Sequence, residues 1–262
     1  MRKRWVALGV LALAGAGGYW AFEANKFRLP GLIQDWRDPV QPNRAVSWQQ
    51  GPEVPPAGER PPNIILIVAD DMGFNDISLN GGGVAGGIVR TPNIDAIARE
   101  GLNFTTAYAA NATCSPSRAA MMTGRYPTRF GFEFTAVPTA FAENLAHGDG
   151  VGPLKAIFHK ELITDDIPDY PDMGVPSGEV TIAEAVKAAG YHTIHIGKWH
   201  LGESPALQPQ AQGFDESLAI LAGGAKFLPD DDPDTVNAKL PWDPIDRFIW
   251  ANLRHAVTFN GS

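Results

Sequence analysis

The sequence has 262 residues, of which 44% are hydrophobic and 19% are charged, so it can bury a sizeable core and disorder is not its default state. Its formal net charge of −8 argues against a nucleic-acid-binding protein, which usually presents a basic face. The single cysteine, Cys114, excludes an intramolecular disulfide. Its neighbours decide whether it is a small buried hydrophobe or a nucleophile.

The N-terminus has the pattern of an export signal or a membrane anchor. Three basic residues at 2–4 precede an uncharged run at 5–22 that is rich in Ala, Gly and Leu. That run is about long enough to cross a bilayer as a helix, and it also fits a cleaved signal peptide. Basic residues ahead of such a run stay cytoplasmic and direct the rest outward. We therefore expect residues 1–22 to be a signal peptide or anchor, and the remainder to be periplasmic, secreted or membrane-anchored outside the cytoplasm.

A proline-rich stretch follows this signal. Residues 23–62 contain eight prolines, which predicts an irregular linker or stalk. The folded part is expected to begin near Asn63 and to occupy residues 63–262.

Two β-α-β patterns predict the fold class. The apolar, β-branched run at 64–69 is typical of a central parallel strand that is buried on both faces. Thr91-Pro92 resembles an N-cap followed by proline at the first helical position, so a helix is predicted from there to Gly101. A strand at 102–107 would complete the first unit. Such units build right-handed, mostly parallel sheets, so the sequence predicts an α/β protein.

The second unit begins at Thr181. Thr181 and Glu184 have the spacing of a capping box, which predicts a helix over 182–189 that ends at Gly190. A strand is predicted at 191–196.

Two adjacent acids follow the first predicted strand. In open α/β sheets the ligand crevice lies at the carboxyl ends of the strands, which is where Asp70 and Asp71 fall. Neighbouring carboxylates repel each other, and a hard divalent cation would supply the counter-charge through oxygen ligands. An isolated Asp-Asp pair is more often a solvated turn or a helix cap, so other features have to support a metal site.

The cysteine lies in a distinctive context. The segment Cys114-Ser115-Pro116-Ser117-Arg118 predicts a helix with Ser115 as N-cap and Pro116 as its first residue. Cys114 would then lie just ahead of a helix N-terminus, where free N–H groups and the helix dipole favour anions. The guanidinium of Arg118, about one turn further, suits an oxyanion.

A Lys-x-His pair follows the last predicted strand. Lys198 can act as a point charge on a sulfate or phosphate, and His200 can donate a hydrogen bond or transfer a proton. Side chains two apart in a strand share a face, so Lys198 and His200 are expected to point the same way and Trp199 into the core. Together with the acids and the helix end, this arrangement suits hydrolysis of a tetrahedral oxyanion ester.

These motifs resemble those of the sulfatase family, which has the alkaline-phosphatase-like fold. The Cys-x-Pro-x-Arg core at 114–118, followed by Thr-Gly-Arg at 123–125, is highly specific to that family. The resemblance extends over roughly residues 63–260 and includes three more segments: Asn63-Ile64-Ile65 leading to Asp70-Asp71-Met72-Gly73, Thr91-Pro92-Asn93-Ile94-Asp95, and Gly197-Lys198-Trp199-His200. It implies an α/β/α sandwich with a mostly parallel central sheet, and a sulfuric ester hydrolase that cleaves aryl or carbohydrate sulfate esters.

The resemblance also implies a cofactor set. In the family this cysteine is oxidised to formylglycine by a separate formylglycine-generating enzyme, and the hydrated aldehyde provides the nucleophile. By the same resemblance, Asp70, Asp71 and the converted Cys114 would be ligands of a divalent cation, Ca²⁺ or alternatively Mg²⁺.

Three further side chains acquire catalytic roles by the same resemblance. Arg118 would hold the hydrated aldehyde and stabilise its charged form, and Lys198 would neutralise the sulfate oxygens. His200 would hydrogen-bond the formylglycine hydroxyl. The implied partners are a small-molecule or carbohydrate sulfate ester and the formylglycine-generating enzyme, with membrane anchorage by residues 5–22 and no nucleic acid.

The sequence departs from the family in its length. Family members carry a later Asp-Asn or Asp-Gln pair of metal ligands and a further His and Lys, and no convincing Asp-Asn pair follows His200. We therefore expect residues 63–262 to be the N-terminal portion of a truncated catalytic domain, with an incomplete sheet. A cation held only by Asp70, Asp71 and the converted cysteine would be under-coordinated.

Two alternative functions stay open on the sequence alone. A phosphonate monoester or phosphodiester hydrolase of the same superfamily shares the cysteine motif, and is the first alternative. A catalytically incomplete fragment that only binds is the second alternative, and the missing distal metal ligands favour it.

Overall fold

The computed structural model of the protein describes residues 14–23, 29–51, 53, 56, 58–82, 84–139, 141–143, 157–226, 228, 232–234 and 253–262. Of the predicted signal or anchor, residues 14–22 are helical, and residues 1–13 lie outside the described residues. In the part of the chain that is described, no helix is both long and apolar enough to span a bilayer.

A small mixed sheet lies in the second half of the chain. Strand β1 (Ile194–Lys198) pairs in parallel with β2 (Glu216–Ile220) along the full length of both strands. Strand β3 (Thr258–Phe259) adds to the other edge of β2 in the antiparallel direction. The α/β class predicted from the sequence is therefore confirmed, and the sheet seen here is a small part of the sandwich that was expected.

The helices of the described residues are short. After the N-terminal helical segment, the α-helices are α1 (Leu29–Arg37), α2 (Pro92–Glu100), α3 (Cys114–Thr123) and α4 (Ile182–Ala188). A kinked turn of helix lies at Val84–Gly87, and 3-10 helices lie at Phe74–Asp76, Ser78–Asn80, Pro127–Phe130, Lys160–Leu162, Tyr170–Asp172 and Pro209–Gln212.

Helix α2 begins and ends where the sequence predicts. Thr91 is its N-cap residue, Pro92 is its first helical residue, and Gly101 follows its last turn. The Thr91 hydroxyl does not cap an amide of the helix, because it accepts a hydrogen bond from Ser78 N and donates one to Asp95 Oδ1 (2.9 and 2.8 Å). Asp95 is only 8% exposed, and these bonds tie α2 to the segment before it.

Helix α4 carries the predicted capping box. Thr181 Oγ1 accepts a hydrogen bond from Glu184 N (3.2 Å), and Glu184 Oε2 accepts one from Thr181 N (2.7 Å). The same Thr181 hydroxyl donates to the backbone oxygen of Gln212 (2.7 Å). Gln212 in turn donates from its side chain to Val175 O (3.0 Å). One hydroxyl therefore both starts the helix and joins it to the loop that leads into β2.

We expect Thr181→Ala to lower the free energy of unfolding by about 1–2 kcal/mol, because it removes a cap and leaves a buried carbonyl unpaired. Thr181→Ser keeps the hydroxyl and is the control, which should lose much less. Urea titration of the two variants measures the difference, and equal losses would show that the hydroxyl does not contribute.

The core lies around Trp199, directly after β1. Trp199 is 2% exposed, and its indole N–H donates to Leu207 O (2.9 Å). Its ring packs edge-to-face against Phe214, with the centroids 6.0 Å apart. The remaining buried members of this core are Ala119, Phe132, Ala136, Val175 and Leu201. The prediction that Trp199 points into the core is confirmed.

Two predicted strands are not formed. Residues 64–69 and 102–107 carry no strand in the structure, and β1 begins three residues later than the predicted 191–196 strand. Ile65 and Ile67 are 83% and 81% exposed. A buried parallel strand needs hydrogen-bonded neighbours on its edges, and the described residues provide none beside 64–69.

The proline-rich stretch lies against the sheet. Residues 39–51 form neither helix nor strand, whereas α1 forms within the stretch that was expected to be irregular. Gln49 N donates to the buried carboxylate of Glu216 (2.7 Å), and Trp48 packs edge-to-face on Phe259, with centroids 5.1 Å apart. Arg44 donates to Ser262 O (2.9 Å). These contacts hold the segment on the edge formed by β2 and β3.

Candidate active site

The two predicted metal-binding acids lie in a tight turn after the apolar run at 64–69. Asp71 has φ 54, in the left-handed region, which aspartate tolerates better than most residues. The side chain of Asp70 is 44% exposed. The turn therefore presents two adjacent carboxylates at the surface rather than in the core.

Cys114 is the first residue of helix α3 and is half-buried. The prediction that Ser115 is the N-cap was wrong: Thr113 is the N-cap, because its backbone is extended and its carbonyl accepts the first helical bond from Ser117 N (3.2 Å). Asn111 Oδ1 accepts from Thr113 N (3.0 Å) and so supports the turn before the helix. Cys114 still lies at a helix N-terminus, where an anion is stabilised.

Asp70 joins the other two charged residues of the site. Arg118 Nη2 donates to Asp70 Oδ1 (2.7 Å), and Lys198 Nζ donates to Asp70 Oδ2 (2.9 Å). Arg118 Nη1 also donates to the backbone oxygen of Lys198 (2.7 Å). The side chains of Arg118 and Lys198 are only 12% and 14% exposed. One carboxylate thus holds two cations from α3 and β1 in a fixed arrangement.

The charge state of Asp70 follows from these bonds. Partial burial acts to raise its pKa, but the hydrogen bonds and positive charges of Arg118 and Lys198 outweigh burial and hold the pKa below 3.8. Asp70 is therefore ionised at neutral pH.

Three predicted ligand residues come together here. A carboxylate oxygen of Asp70, one of Asp71 and the Sγ of Cys114 all lie within 4.8 Å of one another. The Sγ marks the position that a hydroxyl oxygen would occupy if Cys114 were converted to formylglycine. Two carboxylates and an oxygen are hard donors, so the set fits Ca²⁺ or Mg²⁺, although it supplies only part of the six to eight ligands that Ca²⁺ takes.

His200 is buried rather than presented beside Lys198. The residue is 5% exposed and has φ 58, so the strand alternation that predicted a shared face does not continue to it. Its Nε2 is hydrogen-bonded to Ala136 O (3.1 Å), and its Nδ1 has no hydrogen-bond partner among the described residues. Burial, with smaller contributions from Lys198 and Arg118, lowers the pKa of His200 to about 4 despite the bond to Ala136. The imidazole is neutral at physiological pH.

A second buried histidine, His195, has the same property. Its ring packs edge-to-face on Trp199, with centroids 5.2 Å apart, and burial lowers its pKa to about 4. Sequence reasoning did not single out His195, because alternation on β1 alone does not say which face is covered. For His200, the glycine at 223 after β2 could have indicated a close approach of backbone, because a Cβ atom there would lie 2.7 Å from Cε1 of the ring.

We expect acid to destabilise the fold between about pH 6.5 and 4, because His195 and His200 stay neutral when folded and take up protons only when unfolded. The contribution of the two histidines to the free energy of unfolding is therefore fully present above pH 6.5. Together they lower that free energy by on the order of 5 kcal/mol as the pH falls to about 4. Asp70 and Asp215, whose pKa values are lowered, add losses only at more acidic pH.

The free energy of unfolding of the wild type and of His195→Gln, measured across this range, isolates one histidine. Subtracting one free energy from the other cancels the contribution of Glu203. Burial raises the pKa of Glu203, so its protonation stabilises the folded state as the pH falls, which is opposite to the effect of the histidines. Parallel curves for the two proteins would contradict the assignment.

The family is shown by comparison with known proteins. The family model described as Sulfatase matches residues 62–249, well over half of the chain. The chain belongs to the sulfatase family. Membership confirms the family that the motifs predicted, together with its alkaline-phosphatase-like fold class.

Individual relatives include carbohydrate and aryl sulfatases. N-acetylgalactosamine-6-sulfatase of Mus musculus is 37% identical over 191 residues, which cover 72% of this chain and 31% of that protein. Arylsulfatase A of Homo sapiens is 38% identical over 164 residues, covering 62% and 25%. The crystal structure of Ps i-CgsB matches with a TM-score of 0.48 and 36% identity, covering 65% of this chain and 30% of that one. The chain thus spans about a third or less of the length of these relatives.

Proposed function

We propose that the chain carries the nucleophile-bearing part of a formylglycine-dependent sulfatase that hydrolyses aryl or carbohydrate sulfate esters. The observation that carries the proposal is the cluster of Asp70, Asp71 and Cys114 ligand atoms within 4.8 Å of one another, at the N-terminus of α3. A cysteine that only fills space in the core would not require two carboxylates and a helix N-terminus beside it.

In this proposal Asp70 and Asp71 hold a divalent cation, with Ca²⁺ favoured and Mg²⁺ as the alternative. When bound, that cation would act as a Lewis acid on the sulfate oxygens and lower the pKa of a hydroxyl bound to it. Cys114, once converted to formylglycine, supplies that hydroxyl, which an unmodified thiol cannot. The two carboxylates would offset the positive charge of such a cation beside the converted side chain.

Arg118 and Lys198 supply fixed positive charge. Both are held by Asp70, so neither has to reorganise when a sulfate group enters the site. Charge that accumulates on the sulfate oxygens in the transition state is then stabilised by preorganised donors, which is the most effective use of such groups. The neutral His200 completes the set as a hydrogen-bonding group towards the nucleophile.

The substrate class in this proposal rests on relatives. One of the relatives is named for the 6-sulfate of N-acetylgalactosamine and another for aryl sulfates. The related protein Ps i-CgsB has also been crystallised with k-i-k-neocarrahexaose. We therefore favour sulfated carbohydrates, with aryl sulfates as convenient test substrates.

Export from the cytoplasm is also part of the proposal. The basic residues at 2–4 and the uncharged run at 5–22 support a signal peptide or an anchor. The formylglycine-generating enzyme of the host would then be the partner that converts Cys114.

The proposal is tested with a chromogenic aryl sulfate and the matching aryl phosphonate monoester. The chain is prepared with a formylglycine-generating enzyme, with Ca²⁺ present or removed by a chelator, and His159→Gln serves as a variant outside the cluster. We expect the coloured aryl alcohol to be released from the aryl sulfate only. Chelation of Ca²⁺ should abolish this release. Faster release from the phosphonate, or none from the sulfate by fully converted protein, would contradict the proposal.

A further inference from the structure

The backbone around Ala136 defines one tautomer of His200. The Nε2 atom of His200 lies 3.1 Å from Ala136 O, and a carbonyl oxygen only accepts hydrogen bonds. Nε2 must therefore carry the ring proton, and Nδ1 keeps its lone pair. Nδ1 is buried and has no hydrogen-bond partner among the described residues. It is thus the ring nitrogen that remains able to accept a hydrogen bond.

Ala136 itself is fixed by a side chain on α3. Its N–H donates to Ser115 Oγ (3.3 Å), and Ser115 is 0% exposed. Ser115 directly follows Cys114, so the helix that positions the cysteine also positions the carbonyl that holds His200. The nucleophile precursor and the imidazole are linked through two hydrogen bonds and no flexible side chain.

Gly223 also packs closely against the ring of His200. A Cβ atom at this position would lie 2.7 Å from Cε1 and 2.8 Å from Nε2 of His200, closer than real contacts allow. Backbone therefore packs directly on the imidazole there. The ring can neither flip nor shift without breaking one of these contacts.

We propose that Ser115 is a positioning residue: through the backbone of Ala136 it holds His200 as the Nε2–H tautomer, so that Nδ1 stays unprotonated as the acceptor nitrogen of the ring. The proposal rests on the proposed sulfatase function for its catalytic meaning, but the tautomer is a property of the chain itself. It assigns a role to the serine between the cysteine and the proline, which the mechanism above does not use.

The test is the ¹⁵N spectrum of the histidine side chains in the full chain, recorded above the titration range of histidine. The signals of His200 are assigned because they are missing from the spectrum of His200→Gln. In the wild type we expect a protonated Nε2 and an unprotonated Nδ1. Ser115→Ala should move both nitrogens towards a mixture of tautomers, whereas Thr123→Ala, which removes another hydroxyl bonded to backbone on the same helix, should leave them unchanged.

Gly223→Ala provides an independent disturbance of the ring and should also change the His200 signals. A wild-type spectrum of the Nδ1–H form, or a Ser115→Ala spectrum identical to the wild type, would overturn the proposal. In the converted enzyme, Ser115→Ala should lower kcat about tenfold with little change in KM, normalised to the formylglycine content of each preparation. If no variant releases sulfate, the sulfatase function fails, while the spectra still decide the tautomer.

Discussion

Replacing Cys114 with serine is expected to reduce the steady-state turnover of a sulfate ester by on the order of 10⁴-fold or more. Losses of this size follow the removal of other catalytic nucleophiles. Serine offers a hydroxyl at the same N-terminus of α3, so it can attack sulfur once. The resulting serine sulfate ester has no second hydroxyl on the same carbon to expel sulfate. The variant should therefore stop after one turnover and not cycle.

The measurement is a product burst followed by the intact mass of the variant. We expect at most one equivalent of product, and a protein that has gained one SO₃ group. Cys114→Ala is the control and should show no burst and no mass gain. Cys114 is half-buried, so neither variant should lose much stability. Sustained turnover by Cys114→Ser would contradict the formylglycine mechanism, because it would mean that an ordinary hydroxyl suffices.

Calcium is expected to stabilise the folded chain, and Asp71→Asn should remove most of that stabilisation. A ligand that binds only the folded state adds about 2.7 kcal/mol when its concentration is 100 times Kd. Asp71 is the cleaner probe of the cation, because Arg118 and Lys198 are bonded to Asp70 and not to Asp71. The calcium-free stability of Asp71→Asn should therefore remain near that of the wild type.

Asp70→Asn is expected to act in two ways. It should lose the calcium effect, and it should also destabilise the calcium-free protein by about 1–2 kcal/mol, since two largely buried cations lose their carboxylate while solvent screens part of the loss. Asp166→Asn, at an exposed acid outside the cluster, is the matched control. Unfolding midpoints measured with calcium and with chelator separate the two effects. An equal calcium response in all three variants would place the cation elsewhere.

The chemistry of the site could be predicted from sequence because it depends on short local motifs. Asp70 and Asp71 follow an apolar run, and Cys114 begins a helix. A turn and the start of a helix are determined by a few neighbouring residues, so the local position of each side chain can be predicted from a short motif. Their mutual distance could not be derived from spacing, since 43 or 44 residues separate the acids from the cysteine. The family resemblance implied that they share a site, and the structure brings their ligand atoms within 4.8 Å.

The starts of α2 and α4 were predicted for a related reason. The capping box at Thr181 and the proline after Thr91 depend on residues close in sequence, so a short pattern is enough to predict where these two helices begin. The strands are different, because each needs a partner from a distant part of the sequence. The apolar run at 64–69 has the composition of a central strand, yet composition does not supply the neighbours that a ladder requires.

The surroundings of His200 lay beyond sequence reasoning. Its partner Ala136 contributes a backbone oxygen, which any residue type could supply, so no motif points to it. The left-handed backbone of His200 also breaks the alternation from which its direction was predicted. Packing after β1, around the buried Trp199, decides the orientation of this imidazole.

The formylglycine nucleophile is tested most directly by the mass of the peptide that contains Cys114, taken from protein purified from its own host. Conversion of the cysteine to formylglycine removes about 18 Da from that peptide. We expect this loss in a large fraction of the protein, together with trapping of the aldehyde by a hydrazine probe. A peptide that retains an unmodified thiol throughout would contradict the formylglycine mechanism, because Asp70, Asp71, Arg118 and Lys198 would then surround a side chain that cannot perform the proposed reaction.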